Sequence, residues 1–149
     1  MQSLPQDPIK LMSLVGAFCS DLGLHERALA IHQQLARLRD DDSNALVTLA
    51  VSQSRAGDEA AACATLQRAL QRDPAHDMAR VMWAIHLHKA GDTANARVPL
   101  LAVLADGQDA DARALAASVK DDILSPLSAT VPSVERNRRH RYTRVDLES

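Results

Sequence analysis

Three glycines, Gly23, Gly57 and Gly91, stand 34 residues apart, and each is followed five residues later by an alanine, Ala28, Ala62 and Ala96. A glycine–alanine pair repeated twice at one interval restricts the chain to architectures built by stacking a supersecondary unit of that length. The clearest copy of the unit is the stretch 55–74, RAGDEAAACATLQRALQRDP. It holds a Gly57-Asp58 turn, an amphipathic helical stretch with small residues at selected positions, and an Asp73-Pro74 stop, because the residue before proline avoids helical geometry.

The chain between these marks reads as helix. Aromatic residues make up 2% of the 149 residues, and alanine and leucine are plentiful, which disfavours sandwiches and barrels. The fold class is therefore all-α. Apolar periodicity and punctuation predict helices over 9–22, 25–39, 44–56, 59–72, 76–90, 94–105 and 110–124. Asp7-Pro8 reads as an N-cap with proline at the first helical position. The run Asp40-Asp41-Asp42-Ser43 breaks the pattern and supplies the next cap; it lacks the oxygen spacing of a calcium loop. Pro99 falls inside the sixth stretch, where a kink or a shortened start is expected.

Residues 125–149 carry Pro126, Pro132 and scattered serines without helical apolar period, and read as a disordered basic tail. Within it, Arg136, Arg138, Arg139, Arg141 and Arg144 face only Glu135, Asp146 and Glu148. Its arginines and Tyr142 could meet a nucleic acid, but a solvated tail is the preferred reading. Net charge is −2, so no global field marks a nucleic-acid or membrane binder. Cys19 and Cys63 have no metal or redox spacing and read as free buried thiols in a reducing compartment. The start, MQSLPQDPIK, lacks the pattern of a secretion signal, and no stretch is apolar for the length of a membrane span. A cytoplasmic location is expected.

Aligned on the glycines, the units are 9–42, 43–76 and 77–110. Small residues recur where helices would touch: Gly16, Ala50 and Ala84 on the first helices, and Ala28, Ala62 and Ala96 on the second. Large residues stand beside them: Val15, Leu49 and Trp83, then Leu66 and Leu100, with His32 in the corresponding place of the first unit. This pattern resembles the tetratricopeptide repeat, although its closing proline is present only as Pro74, with Asp40 and Gln108 elsewhere. The resemblance implies a right-handed helical-repeat solenoid of three helix pairs, with 110–124 as a C-terminal capping helix.

In such repeats the first helices line the concave face. That stripe gives Lys10, Ser13, Ala17 and Ser20 in unit one, Asn44, Val47, Val51 and Ser54 in unit two, and Met78, Val81, Ile85 and His88 in unit three, with Met82 beside them. The spacing places each set on one helix face. The first helices of units two and three carry apolar residues on a second face as well, and a helix apolar nearly all round must be covered on both sides. Either neighbouring helices cover Val47, Val51, Val81 and Ile85, or a partner segment does. The expected protein-binding groove comprises Asn44, Val47, Val51, Met78, Val81, Met82, Ile85 and His88, the methionines adding adaptable contacts. The carboxylate clamp of chaperone-tail binding repeats is absent, since Ser13, Ala17, Thr48, Met78 and Met82 hold those positions.

His86 and His88 point in different directions, and His25 and His32 are two turns apart, so no metal site is expected. No nucleophile stands on a strained turn or beside a base, and neither enzyme activity nor a cofactor is expected. In size and layout the chain resembles the small tetratricopeptide chaperones of bacterial type III secretion. The resemblance implies a protein-transport chaperone or adaptor for an apolar or amphipathic segment, a needle or export-apparatus subunit, with a homodimer compatible. The alternative is a structural assembly subunit whose groove is permanently filled.

Overall fold

The computed structural model describes residues 7–125. Seven helices occupy them: α1 Pro8–Asp21, α2 His25–Leu38, α3 Ser43–Arg55, α4 Glu59–Arg72, α5 Asp77–Lys89, α6 Thr93–Asp106 and α7 Ala110–Leu124. Consecutive helices pack as antiparallel pairs, α1 on α2, α3 on α4 and α5 on α6, and the pairs stack through α2 on α3 and α4 on α5. α7 lies against both α5 and α6. The basic tail, including its five arginines, lies outside the described residues.

The repeated glycines close the first helix of each pair. Gly23, Gly57 and Gly91 have φ of 74°, 91° and 89°, a left-handed backbone that a side chain makes costly. In each turn the glycine N–H bonds a carbonyl three residues back, Gly57 to Ser54 at 3.0 Å, and the next residue bonds a carbonyl five back, Asp58 to Gln53 at 2.9 Å. These paired bonds satisfy carbonyls that a helix end would otherwise leave orphaned. Asp58 and Asp92 then cap the following helix, their carboxylates accepting from the N–H groups of Ala61 and Asn95. The first unit has Leu24 there instead, and α2 starts without a side-chain cap.

Asp7, Asp42 and Asp109 cap α1, α3 and α7. α5 is capped by His76, whose Nδ1 accepts from Ala79 N–H at 3.2 Å. An accepting Nδ1 places the proton on Nε2, which donates to Asn44 Oδ1 at 3.0 Å and so ties α5 to α3. α6 begins at Thr93 and remains helical through the buried Pro99, so its start is not shortened.

Small residues stand where helices touch. Ala28, Ala62 and Ala96 on the second helices are buried, as are Gly16, Ala50 and Ala84 on the first. Two apolar clusters result. One joins Leu46, Leu49, Leu66 and Ala69 with Ala36 and Ala79; the other joins Val81, Leu100 and Val103 with Ala112, Ala116 and Ile123 of α7. Polar bonds link successive pairs. His86, with its side chain 1% exposed, bonds Glu59 Oε2 through Nδ1 at 2.5 Å, and the buried Asp77 accepts from the N–H groups of Gln108 and Asp109. α1 is held least: of its residues only Gly16 is buried.

Candidate functional site: a cleft between α1 and α3

α3 packs directly on α5, whereas α1 and α3 stand apart and leave a cleft of about 540 Å³. Ser13, Ala17, Ser20 and Asp21 of α1 form one wall; Asn44, Ala45, Thr48, Val51, Ser52 and Arg55 of α3 form the other. His32, Leu35 and Arg39 of α2 make the floor, with Asp42 at the cap of α3. At 1.5 Å per residue, the wall from Asn44 to Arg55 is about 16 Å long, enough for an extended segment of roughly five residues.

The lining mixes short apolar groups with hydroxyls. Ser13 and Thr48 donate to carbonyls of their own helices, Ile9 and Asn44, at 2.9 and 3.0 Å, so both hydroxyl protons are engaged within the protein. His32 is 5% exposed and shares a hydrogen bond with Ser52 across 2.5 Å, fixing α2 to α3 at the cleft floor. Burial holds its imidazole below the ordinary value of 6.5, because a charged ring there loses solvation. Arg39 pairs with Asp42 at 3.4 Å at one end, and Arg55 and Asp21 mark the other.

The residues expected to form a groove divide into two groups. Asn44 and Val51 line the cleft. Val47, at 8% exposure, and Val81, at 0%, are core residues, which corrects their placement on an open groove. The cause is the direct packing of α3 on α5 and of α7 on α5, which covers those faces. Met78 and Met82 are partly buried against the first cluster, and Ile85 against the second. His88 bonds Thr93 Oγ1 through Nδ1 at 3.0 Å, so it secures the turn between α5 and α6. Cys19 and Cys63 are free but only partly buried, a second correction; burial raises the Cys63 thiol above its usual range, with the Glu59 charge adding to it.

Of the stripe expected on α1, Ser13, Ala17 and Ser20 line the cleft, and Lys10 does not. The floor was not anticipated. Its one legible signal is His32 at the position that holds Leu66 and Leu100 in the other units: a polar group at a packing position requires a buried partner, here Ser52.

Among the described residues, no group of three or more His, Cys, Asp or Glu could hold a metal ion. No helix among them is long and apolar enough to cross a membrane.

No protein-family model matches the chain, and no curated protein matches it. Solved structures do. The Yersinia enterocolitica type III secretion chaperone SycD, in complex with a peptide of the translocator YopD, superposes with a TM-score of 0.69 at 18% identity, over 83% of this chain and 95% of that one. PcrH, in complex with the chaperone binding region of PopD, gives 0.68 at 19% identity, over 83% and 96%. The tetratricopeptide domain of Sgt2 from Aspergillus fumigatus gives 0.67 at 14% identity, over 100% and 96%. The all-α helical-repeat fold is thus shared with type III secretion chaperones and with a repeat domain from a fungus.

Proposed function

We propose that this protein is a chaperone or adaptor that holds an apolar or amphipathic segment of a partner protein in the cleft between α1 and α3. On this reading 9–42, 43–76 and 77–110 are three tetratricopeptide units and 110–124 covers the last of them. The observation that carries it is the cleft itself: α1 and α3 diverge over a polar-bonded floor, whereas α3 packs on α5 and α5 on α7. Its lining suits an extended segment. Ala17, Ala45, Leu35 and Val51 offer shallow apolar seats, and Ser20 and Arg55 offer donors for backbone carbonyls.

Of the solved proteins that share the fold, SycD holds a peptide of the translocator YopD and PcrH holds the chaperone binding region of PopD. A subunit of a type III secretion system, whether needle, export-apparatus or translocator, is accordingly the partner class proposed here. The test is affinity purification from the native organism with mass spectrometry, run on the wild type and on Ala17→Trp, which fills the cleft from one wall. A small secreted subunit with an amphipathic segment should be retained by the wild type and lost by the variant at unchanged helicity. Equal retention by both proteins would overturn the cleft as the binding site.

A further inference from the structure

The floor of the cleft belongs to one face of α2, which carries His32 and Leu35 and leads into Arg39. A second face of the same helix lines a smaller pocket, of about 220 Å³, against α4. Gln33, Ala36, Arg37 and Asp40 come from α2 and the turn after it, Leu49 from α3 and Arg68 from α4. At 100° per residue the two faces are centred about 120° apart. Arg39 borders the cleft and its chain neighbour Asp40 borders the pocket.

The pocket joins an apolar floor to an excess of positive charge. Ala36 and Leu49 are each 6% exposed and belong to the apolar cluster around Leu46 and Leu66. Arg72 donates to Asp40 Oδ2 at 3.0 Å, whereas Arg68 reaches Oδ1 only at 3.5 Å, an ion pair without a hydrogen bond. Arg37 takes part in no ion pair among the described residues. Arg68 and Arg72 stand four apart on α4, a spacing at which like charges repel. Three guanidinium groups against one carboxylate leave a local excess of positive charge in a chain whose net charge is −2. Open guanidinium donors above an apolar floor match a carboxylate carried on a short aliphatic stem.

We propose that this pocket seats a glutamate side chain of the same partner segment that enters the cleft. The source of the side chain rests on the cleft reading above; the preference of the pocket for a carboxylate does not. The methylenes of the glutamate cover Ala36 and Leu49, and its carboxylate takes the free donors of Arg37 and Arg68. A bare phosphate fits less well, because it has no aliphatic part to lay on that floor. A segment leaving the cleft beside Arg39 turns through about 120° around α2, an arc of about 11 Å on a helix about 10–12 Å across. At about 3.3 Å per residue, three or four extended residues cover that arc. The partner is therefore defined by two elements, an extended apolar stretch and a glutamate roughly four residues beyond it.

The test of the pocket is a titration of the isotope-labelled full chain with N-acetyl-glutamyl-leucine amide, followed by NMR at the side-chain Nε–H signals of Arg37 and Arg68. A saturable shift with a Kd on the order of 1–10 mM is expected for one carboxylate held by two arginines. The glutaminyl analogue should bind about tenfold more weakly, and Arg37→Gln and Arg68→Gln should each weaken the glutamyl probe about threefold or more at unchanged circular dichroism. Asp40→Asn should strengthen it, since it removes the carboxylate that competes for Arg68. Ala17→Trp, which fills the cleft, should leave the titration unchanged, so failure of the pocket and failure of the cleft are distinguishable. No saturable shift up to about 50 mM, an equal response to the glutaminyl analogue, or inorganic phosphate binding as tightly as the glutamyl probe overturns the pocket.

The link to the cleft is tested on the segment retained in the affinity purification. Glutamine in place of the glutamate beyond its apolar stretch should weaken binding to the wild type about tenfold and leave binding to the Arg37→Gln, Arg68→Gln double variant unchanged. An equal loss in both proteins, or a retained segment with no acidic residue within about six positions of that stretch, overturns the link. A wild type that retains no segment removes the cleft reading and the link together, and the titration still decides the pocket.

Discussion

A methyl group at Gly16 would stand 2.5 Å from Nε2 of His32 and 3.1 Å from the side chain of Ile31. The imidazole cannot swing aside freely, because its other nitrogen is bonded to Ser52 and the ring is buried. One glycine on α1 therefore sets how closely the first helix pair approaches, and through His32 it sets the depth of the cleft. Gly16→Ala should cost about 1–3 kcal/mol in urea unfolding, the cost of overpacking a fixed site. Adding His32→Ala should recover part of that loss, and additive losses in the double-mutant cycle would show that the two residues do not meet.

Stability should depend on pH through His32. Its folded-state value is depressed by burial, so between that value and the ordinary 6.5 the unfolded chain binds a proton that the folded chain refuses. Stability should consequently decline as pH falls below 6.5 and level off once the folded value is passed. His32→Asn should flatten that part of the profile; an unchanged slope would place the titration elsewhere.

Asp77 should hold the end of the stack together. The N–H groups of Asp109 and then Gln108 donate to it and, with Arg80 and His76 nearby, outweigh burial and keep its carboxyl below the usual 3.8. Its contribution is present above 3.8 and lost as pH falls through the depressed folded value. Asp77→Ala should destabilise by about 2–3 kcal/mol through loss of charge-assisted bonds. Hydrogen exchange at the Gln108 and Asp109 amides should accelerate, and unaltered exchange there would contradict the assignment.

Core and cleft should separate under the same substitution. Val81→Asp buries an unpaired carboxylate in the α5–α6–α7 cluster and should abolish cooperative unfolding. Val51→Asp, on the cleft wall, should keep helical circular dichroism and cooperative unfolding while losing the partner segment. Equal unfolding by both would return Val51 to the core.

Gly57→Ala meets no neighbouring atom, yet φ of 91° is unfavourable for any Cβ. The loss should be about 1–2 kcal/mol, arising from backbone alone. A neutral outcome in thermal unfolding would mean that the turn relaxes to another geometry.

The repeat was legible because its causes are local. A left-handed glycine, an aspartate cap and an Asp-Pro stop act within a few residues, so the 34-residue interval of Gly23, Gly57 and Gly91 located the turns, and alanine spacing located the helix contacts. The same locality identified Ser13, Ala17, Ser20, Asn44 and Val51 as one helix face each. Which faces stay open is a different kind of fact. Val47 and Val81 occupy positions on the same stripe as Val51, but α5 and α7 close over them while the gap between α1 and α3 leaves Val51 uncovered. Likewise the exposure of Leu11, Val15, Phe18 and Leu22 could not be read from an amphipathic pattern, which marks an apolar face without saying what covers it. The sequence by itself determined helices, turns and repeat, since each depends on near neighbours along the chain. Only the tertiary structure decided cleft, core and bare edge, because burial depends on the distance between helices that the chain brings together from far apart.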